Sequence, residues 1–496
     1  MPYATIRCGT PGRLGSRTDN GLRQAGSAQS NAPNHYSNRS KHALHLPLLS
    51  KLPSVSQLAA LLFSGVAYAG IAYATPRAHF GQLVGLFAVA TLAYVWLLRS
   101  QLSWRWGLGA ALLFRLLWLP ALPALSDDVY RFHWDGVLVA NGVNPFQFRP
   151  DEIIADGARA TIKNEQVRSR VLPQLQQLYH EINSPHYYSV YPPVCQFIFG
   201  AAAYLFPTSA IGFAGSLRII ILAAEVGTTW LLLALLPALG WPPERALRYL
   251  LHPLVIIELT GNLHFEGLVI FFVLLALWLL SRQRWASSAA TLGLGVATKL
   301  LPLLMLPLLA RRLGWRHFAR YFAVGAGTLL LLFSPFISVE LIGNISQSIR
   351  LYFHNFEFNA SVYYLLRPIG YWLTGYNQIA IIGPCLALAS GVVGLALAWR
   401  ERGPRLVGLP QTTLLVLTAY YMLATTVHPW YLTFLISLSV LSRFSYPLVW
   451  GTVAILSYAA YRSSTYTENL WLVAGEYAVV FAVSGVELFR SPRTTT

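Results

Sequence analysis

Charged side chains are scarce in this chain of 496 residues, and acidic side chains are the scarcer of the two signs. Only 11% of the residues are charged, and 19 of these are acidic, whereas 55% of the residues are hydrophobic. A soluble globular protein has roughly 25% charged residues. The shortage of charge therefore excludes an ordinary soluble domain and predicts an all-α integral membrane protein, a polytopic helical bundle.

Cysteine is scarce as well, with only Cys8, Cys195 and Cys385 in the whole sequence. These three residues lie far apart and have no metal-ligand spacing, so they indicate neither a disulfide framework nor a metal site. Basic residues interleaved with exposed aromatic residues, which are typical of nucleic-acid-binding proteins, are also missing. We therefore expect no metal, no cofactor and no nucleic-acid partner.

Basic residues outnumber acidic ones and give a formal net charge of +17 at pH 7. Residues 1–56 are rich in Ser, Asn, Gly and Arg and contain a single acid, Asp19, which predicts a disordered basic cytoplasmic tail. The remaining excess is expected in cytoplasmic loops, where Lys and Arg accumulate in membrane proteins. Membrane lipids are then the expected surroundings, in the plasma or inner membrane of a cell.

Long apolar runs fill the rest of the chain, so residues 57–490 are predicted to form one polytopic transmembrane domain. A crossing needs roughly 17–25 apolar residues, and hydropathy with loop charge predicts roughly 12 to 14 crossings. The flanking charges place two long polar stretches outside, the first outer loop at 123–190 and the second outer loop at 340–377. The principal runs are 57–75, 80–98, 106–122, 191–206, 218–236, 249–262, 286–309, 321–338, 378–398, 411–427, 430–442, 446–460 and 470–488.

The middle of the chain allows two topologies. If every apolar run crosses, His264 and Glu266 fall inside. The alternative has 191–206 dip into the bilayer without crossing and 286–309 break near Lys299, because the nearby mid-span proline frees a carbonyl and favours a kink. This second topology keeps the basic loops inside and brings His264, Glu266 and Lys299 to the outer face, and it is the one we expect.

An acidic motif follows the third apolar run and places Asp127, Asp128 and Asp135 within nine positions. Adjacent carboxylates at the mouth of an apolar helix repel each other and are poorly hydrated. Unless a cation or proton donor lies nearby, one of them is expected to have a raised pKa, as a general base would. A structural interpretation is a capped helix start, with Ser126 as N-cap and the acids in the first turn. The two interpretations are compatible.

An amphipathic stretch lies in the same outer loop, at residues 158–180. Its apolar residues recur at helical spacing between Arg and Gln residues. The pattern predicts a helix lying flat on the outer membrane surface beside the acidic motif.

Charges inside apolar runs are costly and often functional. Lys299 lies at a predicted helix break and is a candidate clamp for phosphate oxygens, with snorkelling to the interface as the alternative. Arg115 and Glu225 also lie within runs, and we expect them to pair with one another or with helix ends.

Three further candidates lie beside apolar runs. His264 and Glu266 follow the end of one run, where they either approach the site or belong to a solvated loop. His428 begins a short break between two runs, where its imidazole could meet a phosphate or a sugar hydroxyl and Trp430 could stack on a sugar face. Tryptophan also anchors membrane interfaces, so Trp430 has a structural interpretation too.

Taken together, these motifs resemble those of the integral-membrane glycosyltransferases of the GT-C fold, which use polyprenyl-phosphate sugars, and above all the bacterial mannosyltransferase-like members of glycosyltransferase family 87. The resemblance covers about residues 106–431. It is carried by Ser126-Asp127-Asp128-Val129-Tyr130-Arg131 with Trp134-Asp135-Gly136, Gly142-Val143-Asn144-Pro145-Phe146, Tyr191-Pro192-Pro193, Gly261-Asn262-Leu263-His264-Phe265-Glu266-Gly267, Ala297-Thr298-Lys299 with Pro302, and His428-Pro429-Trp430-Tyr431.

The resemblance implies a helical GT-C core with its active site at the outer face. The donor would be a polyprenyl-phosphate sugar, with a mannose-like hexose favoured, and the acceptor would be lipid- or glycan-linked. Asp127 and Asp128 would supply the catalytic base. The expected substrate-binding residues are Tyr130, Arg131, Asp135, His264, Glu266, Lys299, His428 and Trp430.

Two other classes of protein compete with this interpretation. A flippase or transporter of lipid-linked sugars should show two similar halves with ionisable residues at mid-membrane, but the sequence has no internal repeat and its acids lie in a loop. A polysaccharide ligase or polymerase would rely on outer-loop Arg and His rather than on an early pair of Asp residues.

Overall fold

The computed structural model describes residues 52–401, 408–463 and 466–489. The tail predicted at 1–56 lies outside these ranges up to residue 51, and the first helix begins at Val55. The described residues form helices and no β-strand, with a single isolated bridge between Phe358 and Thr426. The all-α architecture predicted from the sequence is confirmed.

Twenty-one α-helices follow one another along the described chain. Those of the first half are α1 (Val55–Ala74), α2 (Phe80–Arg99), α3 (Trp104–Leu116), α4 (Asp128–Ala140), α5 (Pro150–Ala155), α6 (Glu165–Tyr179), α7 (Pro193–Leu205), α8 (Ala210–Ala238), α9 (Leu247–Leu250), α10 (Pro253–Val255) and α11 (Glu266–Ser281). Those of the second half are α12 (Trp285–Val296), α13 (Leu306–Leu313), α14 (Trp315–Phe333), α15 (Leu341–His354), α16 (Val362–Thr374), α17 (Ile379–Arg400), α18 (Leu409–Leu423), α19 (Leu432–Val440), α20 (Tyr446–Val453) and α21 (Leu470–Phe489).

Short turns of other helix types join several of these elements. The 3₁₀ turns are Pro243–Ala246, Leu301–Met305, Ser334–Phe336, Pro429–Tyr431 and Ala454–Tyr461, and a π-helical turn spans Ile256–Gly261. In the bundle, α1 packs on α2, α4 on α7, α8 and α12 on α11, α14 on α12, and α18 on α17.

Six helices among the described residues are long and apolar enough to cross a membrane: α1, α2, α8, α14 with its 3₁₀ extension, α17 and α21. A bent pair, Pro253–Gly261 and Glu266–Ser281, makes a seventh if it counts as one span. The remaining runs of the 12 to 14 predicted crossings fall on shorter or broken helices. Helix α19 shows why, because all nine of its residues are buried, and hydropathy cannot distinguish burial in protein from burial in lipid.

Two adjustments made to the predicted topology match the observed helices. The run at 286–309 breaks where expected, because α12 ends at Val296 and a 3₁₀ turn containing Pro302 precedes α13. Helix α7 has 13 residues and is therefore about 20 Å long at 1.5 Å per residue. This is shorter than the roughly 30 Å of a hydrocarbon core, and a dip without crossing stays the prediction for this segment.

The acidic motif opens α4, and the detail of its cap differs from the prediction. Asp127, not Ser126, occupies the N-cap position, while the Ser126 hydroxyl accepts a hydrogen bond from the Asp128 backbone N–H at 3.3 Å. Helix α4 packs closely on α7 at Gly136, where an added Cβ would lie 2.5 Å from the Phe199 carbonyl oxygen. Glycine at 136 is thus required by this close packing.

The amphipathic stretch does form a helix, α6, whose N-cap Asn164 accepts hydrogen bonds from the backbone N–H groups of Gln166 and Val167. Its apolar face includes the buried Val171 and Leu175. This helix packs on α4. The expectation that the apolar face lies on lipid is therefore corrected, because much of that face is covered by protein.

Candidate active site

The two adjacent acids of the motif have different surroundings. Asp127 forms an ion pair with Arg77 from the loop between α1 and α2, with 2.7 Å between Nη2 and Oδ2. The Arg77 guanidinium also lies over the ring of Tyr461, 4.5 Å from its centroid. The charge of Asp127 is therefore compensated by a side chain fifty positions earlier in the chain.

Asp128 is half-buried and lacks such an ion-pair partner among the described residues; the Asn183 amide is 3.5 Å from its Oδ1. Burial raises the pKa of the Asp128 carboxyl, and the nearby His264 and Lys299 offset part of that rise. Repulsion from Asp127 adds a smaller increase to this pKa. A raised pKa in one of the two acids was predicted from repulsion and poor hydration, and desolvation is the larger of the two causes.

A broken helix brings His264 and Glu266 to this region. The chain bends by 110° between the helical segments Pro253–Gly261 and Glu266–Ser281. Leu263, at the bend, has a left-handed φ of +63°. Glu266, at the start of α11, forms an ion pair with Lys299, the residue at the second break. Lys299 also lies over Tyr431, with its ammonium 4.4 Å from the ring centroid.

Four aromatic rings stack continuously beside these charges. Centroid distances are 4.6 Å from Phe358 to His428, 4.2 Å from His428 to Trp430 and 3.9 Å from Trp430 to His264. Imidazole rings thus cover both faces of the Trp430 indole. Neither face is open to stack on a sugar, which differs from the stacking suggested by the sequence. Buried nitrogens of both imidazoles, His264 Nε2 and His428 Nδ1, lack a hydrogen-bond partner among the described residues.

The segment predicted as the second outer loop, residues 340–377, is tied to this stack through its backbone. Phe358 donates a backbone hydrogen bond to the Thr425 carbonyl at 3.0 Å, and its own carbonyl accepts one from Val427 at 2.8 Å. Because these bonds hold the residues immediately before His428, the loop fixes one end of the stacked rings.

A carboxylate that sequence reasoning missed lies behind His264. Glu258, in the π-helical turn, is fully buried and accepts hydrogen bonds from the Tyr458 hydroxyl at 2.8 Å and the Asn262 amide at 3.0 Å. His264 Nε2 is 3.4 Å from Glu258 Oε2. The signal was an acid inside the apolar run 249–262, where a charge is costly.

Arg131 and Asp135 contact each other rather than the acid pair. They form a buried ion pair of 2.9 Å, and Asp135 also accepts hydrogen bonds from Ser189 at 2.5 Å and Gln196 at 3.1 Å. With Asp135 fully buried, these two residues join α4 to the segment before α7. Tyr130, by contrast, is half-buried and lies near Asp127.

Arg115 and Glu225 pair with each other, as expected from their positions in apolar runs. Nη2 of Arg115 is 2.7 Å from Oε2 of Glu225, and the Tyr249 hydroxyl donates to the same carboxylate at 2.6 Å. This ion pair joins α3 to α8, so its role is structural. As for metal sites, the described ranges contain no group of three or more His, Cys, Asp or Glu residues placed to hold an ion.

Apolar helices that cross a membrane, with an acidic motif, a lysine and stacked rings brought together at helix breaks, are features of the integral-membrane glycosyltransferases. A protein-family comparison agrees with this class: the family described as alpha-(1->6)-mannopyranosyltransferase, N-terminal domain, matches residues 49–314, just over half of the chain. The chain belongs to this family, which confirms the resemblance drawn from its motifs. No curated protein matches the sequence.

Proposed function

We propose that this membrane mannosyltransferase moves a mannose-like hexose from a polyprenyl-phosphate donor to a lipid- or glycan-linked acceptor at the outer face of the cell membrane. One observation carries the proposal. The half-buried Asp128 lies close enough to His264 and Lys299 to interact with them electrostatically. These three residues come from distant parts of the chain. A base beside the cationic Lys299 is the combination that transfer from a phosphorylated donor requires.

Asp128 is the general base in this proposal. Its carboxylate takes the proton of the acceptor hydroxyl as the acceptor oxygen bonds to the anomeric carbon of the sugar. The bond between that carbon and the phosphate oxygen breaks, and polyprenyl phosphate leaves with the electron pair. Asp127 is less suited to the role, because its carboxylate is already engaged by Arg77.

Lys299 stabilises the leaving phosphate, which gains negative charge as the bond breaks. Its ammonium is shared with Glu266 and is about one-third exposed, so a phosphate oxygen can reach it. His428 Nδ1 is buried without a hydrogen-bond partner on the described part of the chain, and His264 Nε2 lies 3.4 Å from Glu258 Oε2. Both imidazoles line the same region. Trp430 separates the two imidazoles and positions them, and Arg131 with Asp135 supports α4 from behind.

The charge distribution supports an outer location for the site. Helix α11 begins at Glu266 and has 16 residues, so its other end, next to Arg282, is about 24 Å away at 1.5 Å per residue. Helix α12 then returns from Trp285 toward Lys299. Since Lys and Arg accumulate on the cytoplasmic side, the end with Arg282 is assigned inside and the site outside.

The test is transfer of radiolabelled mannose from polyprenyl-phosphate mannose to extracted membrane acceptors by the purified full chain. Asp128→Asn should lower the rate by about 10²-fold or more, as loss of a general base does, and Asp127→Asn by less. Glu165→Gln, at an 86% exposed side chain, is the matched control in the same loop. Equal rates for wild type and Asp128→Asn would refute the base, and transfer from a nucleotide sugar alone would refute the donor.

The outer location is tested by labelling single cysteines in intact cells with a membrane-impermeant thiol reagent, after the native cysteines are replaced. Gln176→Cys, exposed on α6, should react from outside, whereas Ser287→Cys, exposed on α12, should react only after permeabilisation. The reverse pattern would place the site on the cytoplasmic side.

A further inference from the structure

The contact between Arg77 and Asp127 joins the loop between α1 and α2 to the acidic motif. The Arg77 guanidinium is held on one side by the Asp127 carboxylate and on the other by the Tyr461 ring. Three segments that are distant in sequence therefore meet at this guanidinium. Neither side chain of the pair is deeply buried, with Arg77 30% and Asp127 39% exposed, so the pair is not explained as a core ion pair such as Arg115 with Glu225.

Asp127 matters to its neighbour because the two carboxylates are adjacent. The charged and titratable groups that act on the Asp128 carboxyl are His264, Lys299, Asp127 and, from the 3₁₀ turn before α21, Tyr461. Of these, Asp127 is the carboxylate next to it. An uncompensated negative charge on the adjacent residue would raise the pKa of Asp128 further and make its carboxyl harder to ionise.

We propose that Arg77 is a positioning residue for the general base. It compensates the charge of Asp127 and holds that carboxylate toward the loop between α1 and α2, which leaves Asp128 as the group that accepts the proton. Arg77 acts through Asp127 and touches no reacting atom. The inference rests on the proposed function, in which Asp128 is the base.

The pH dependence of mannose transfer provides the first test. In Arg77→Met, the pH at which the acidic limb reaches half of its maximum should rise by about one unit, as expected when a nearby like charge is unmasked, with the KM for the donor unchanged. Arg77→Lys should restore much of the wild-type profile. Arg77→Met/Asp127→Asn should return the limb to its wild-type position, because the charge that Arg77 compensated is gone.

A second test does not require transfer. Carboxyl infrared difference spectra of the purified full chain follow the titration of Asp128, whose band is identified by its loss in Asp128→Asn. Arg77→Met should raise the pH at which this band titrates, and the double variant should return that pH to its wild-type value. Arg149→Met, which removes a surface arginine paired with Asp151 and Glu152, should leave it in place.

The outcomes separate the two proposals. An Asp128 titration that is unchanged in a folded Arg77→Met protein overturns the role of Arg77, and so does a double variant that behaves like Arg77→Met. If the Asp128 titration shifts in Arg77→Met but the wild-type protein transfers no mannose from polyprenyl-phosphate mannose, the role of Arg77 is supported and the donor proposal is overturned.

Discussion

The imidazole of His264 lies 3.9 Å from the indole of Trp430, centroid to centroid, with the two ring planes only 14° apart. His428 covers the opposite face of the same indole at 4.2 Å and 5°. Two imidazoles from separate parts of the chain are therefore held at a fixed spacing by one tryptophan.

Removing that spacer should impair transfer without unfolding the protein. Aromatic pairs contribute about 0.5–1.5 kcal/mol each, so Trp430→Ala, which loses two pairs, should lower the transfer rate by roughly tenfold or more. Trp430→Phe should retain much of the rate, since a ring still separates the imidazoles. Mannose transfer and thermal unfolding are measured together, with the exposed Trp315→Ala as control. A Trp430→Ala rate equal to that of Trp315→Ala would contradict the prediction.

Lys299 is expected to govern donor affinity. Lys299→Met keeps the length of the side chain but removes its charge, and hydrogen bonds to charged groups contribute about 1.5–3 kcal/mol. The KM for the polyprenyl-phosphate donor should therefore rise tenfold or more. Glu266→Gln should have the opposite effect on this KM, because the lysine is then no longer shared with a carboxylate. A donor titration that neither variant changes would exclude Lys299 as the phosphate contact.

As pH is lowered, the transfer rate should begin to fall at a higher pH than it would if the base were an aspartate of ordinary pKa. A base works only when it is deprotonated, and burial raises the pKa of Asp128 from its usual 3.8. As pH falls through that raised value the base is protonated, so the rate should decline at pH values above 3.8. Rates measured against pH should show this limb in wild type and in Asp128→Glu, while the residual rate of Asp128→Asn should lack it. A limb that persists in Asp128→Asn would belong to another group.

The buried pair of Arg115 and Glu225 should matter for stability rather than for catalysis. Breaking a buried ion pair by removing one partner costs about 3–5 kcal/mol, so Arg115→Met should lower the unfolding free energy in detergent by that amount. Arg115→Met/Glu225→Gln should cost less than the sum of its two single changes. Arg168→Met breaks a pair whose glutamate is 86% exposed, and it should change stability by less than about 1 kcal/mol. Equal effects of the buried and the surface substitutions would refute the assignment.

Much of the fold could be predicted because its signals are local. A proline near Lys299 was enough to predict the break between α12 and α13, and the charges in two apolar runs were enough to pair Arg115 with Glu225. The number of crossings is harder to predict, because hydropathy treats a helix such as α19, buried on all sides, in the same way as one that faces lipid.

The candidate site could be predicted only in part. The motifs identified the residues that meet around Asp128, but not the contacts that distinguish Asp128 from Asp127. Arg77 lies in a short loop that matched no motif, and its partner is fifty positions away. Long-range contacts of this kind leave no periodicity in the sequence.

The backbone tie at Phe358 bears on how such an enzyme can diversify. Two hydrogen bonds clamp this position of the second outer loop to Thr425 and Val427, so the ring stack is anchored independently of the chain between α14 and Phe358. Insertions and deletions upstream of the clamp are therefore expected to leave the stacked rings in register. Under the proposed function, natural variation in acceptor preference is expected to concentrate in this segment, whose length can change without disturbing the stack of Phe358, His428, Trp430 and His264.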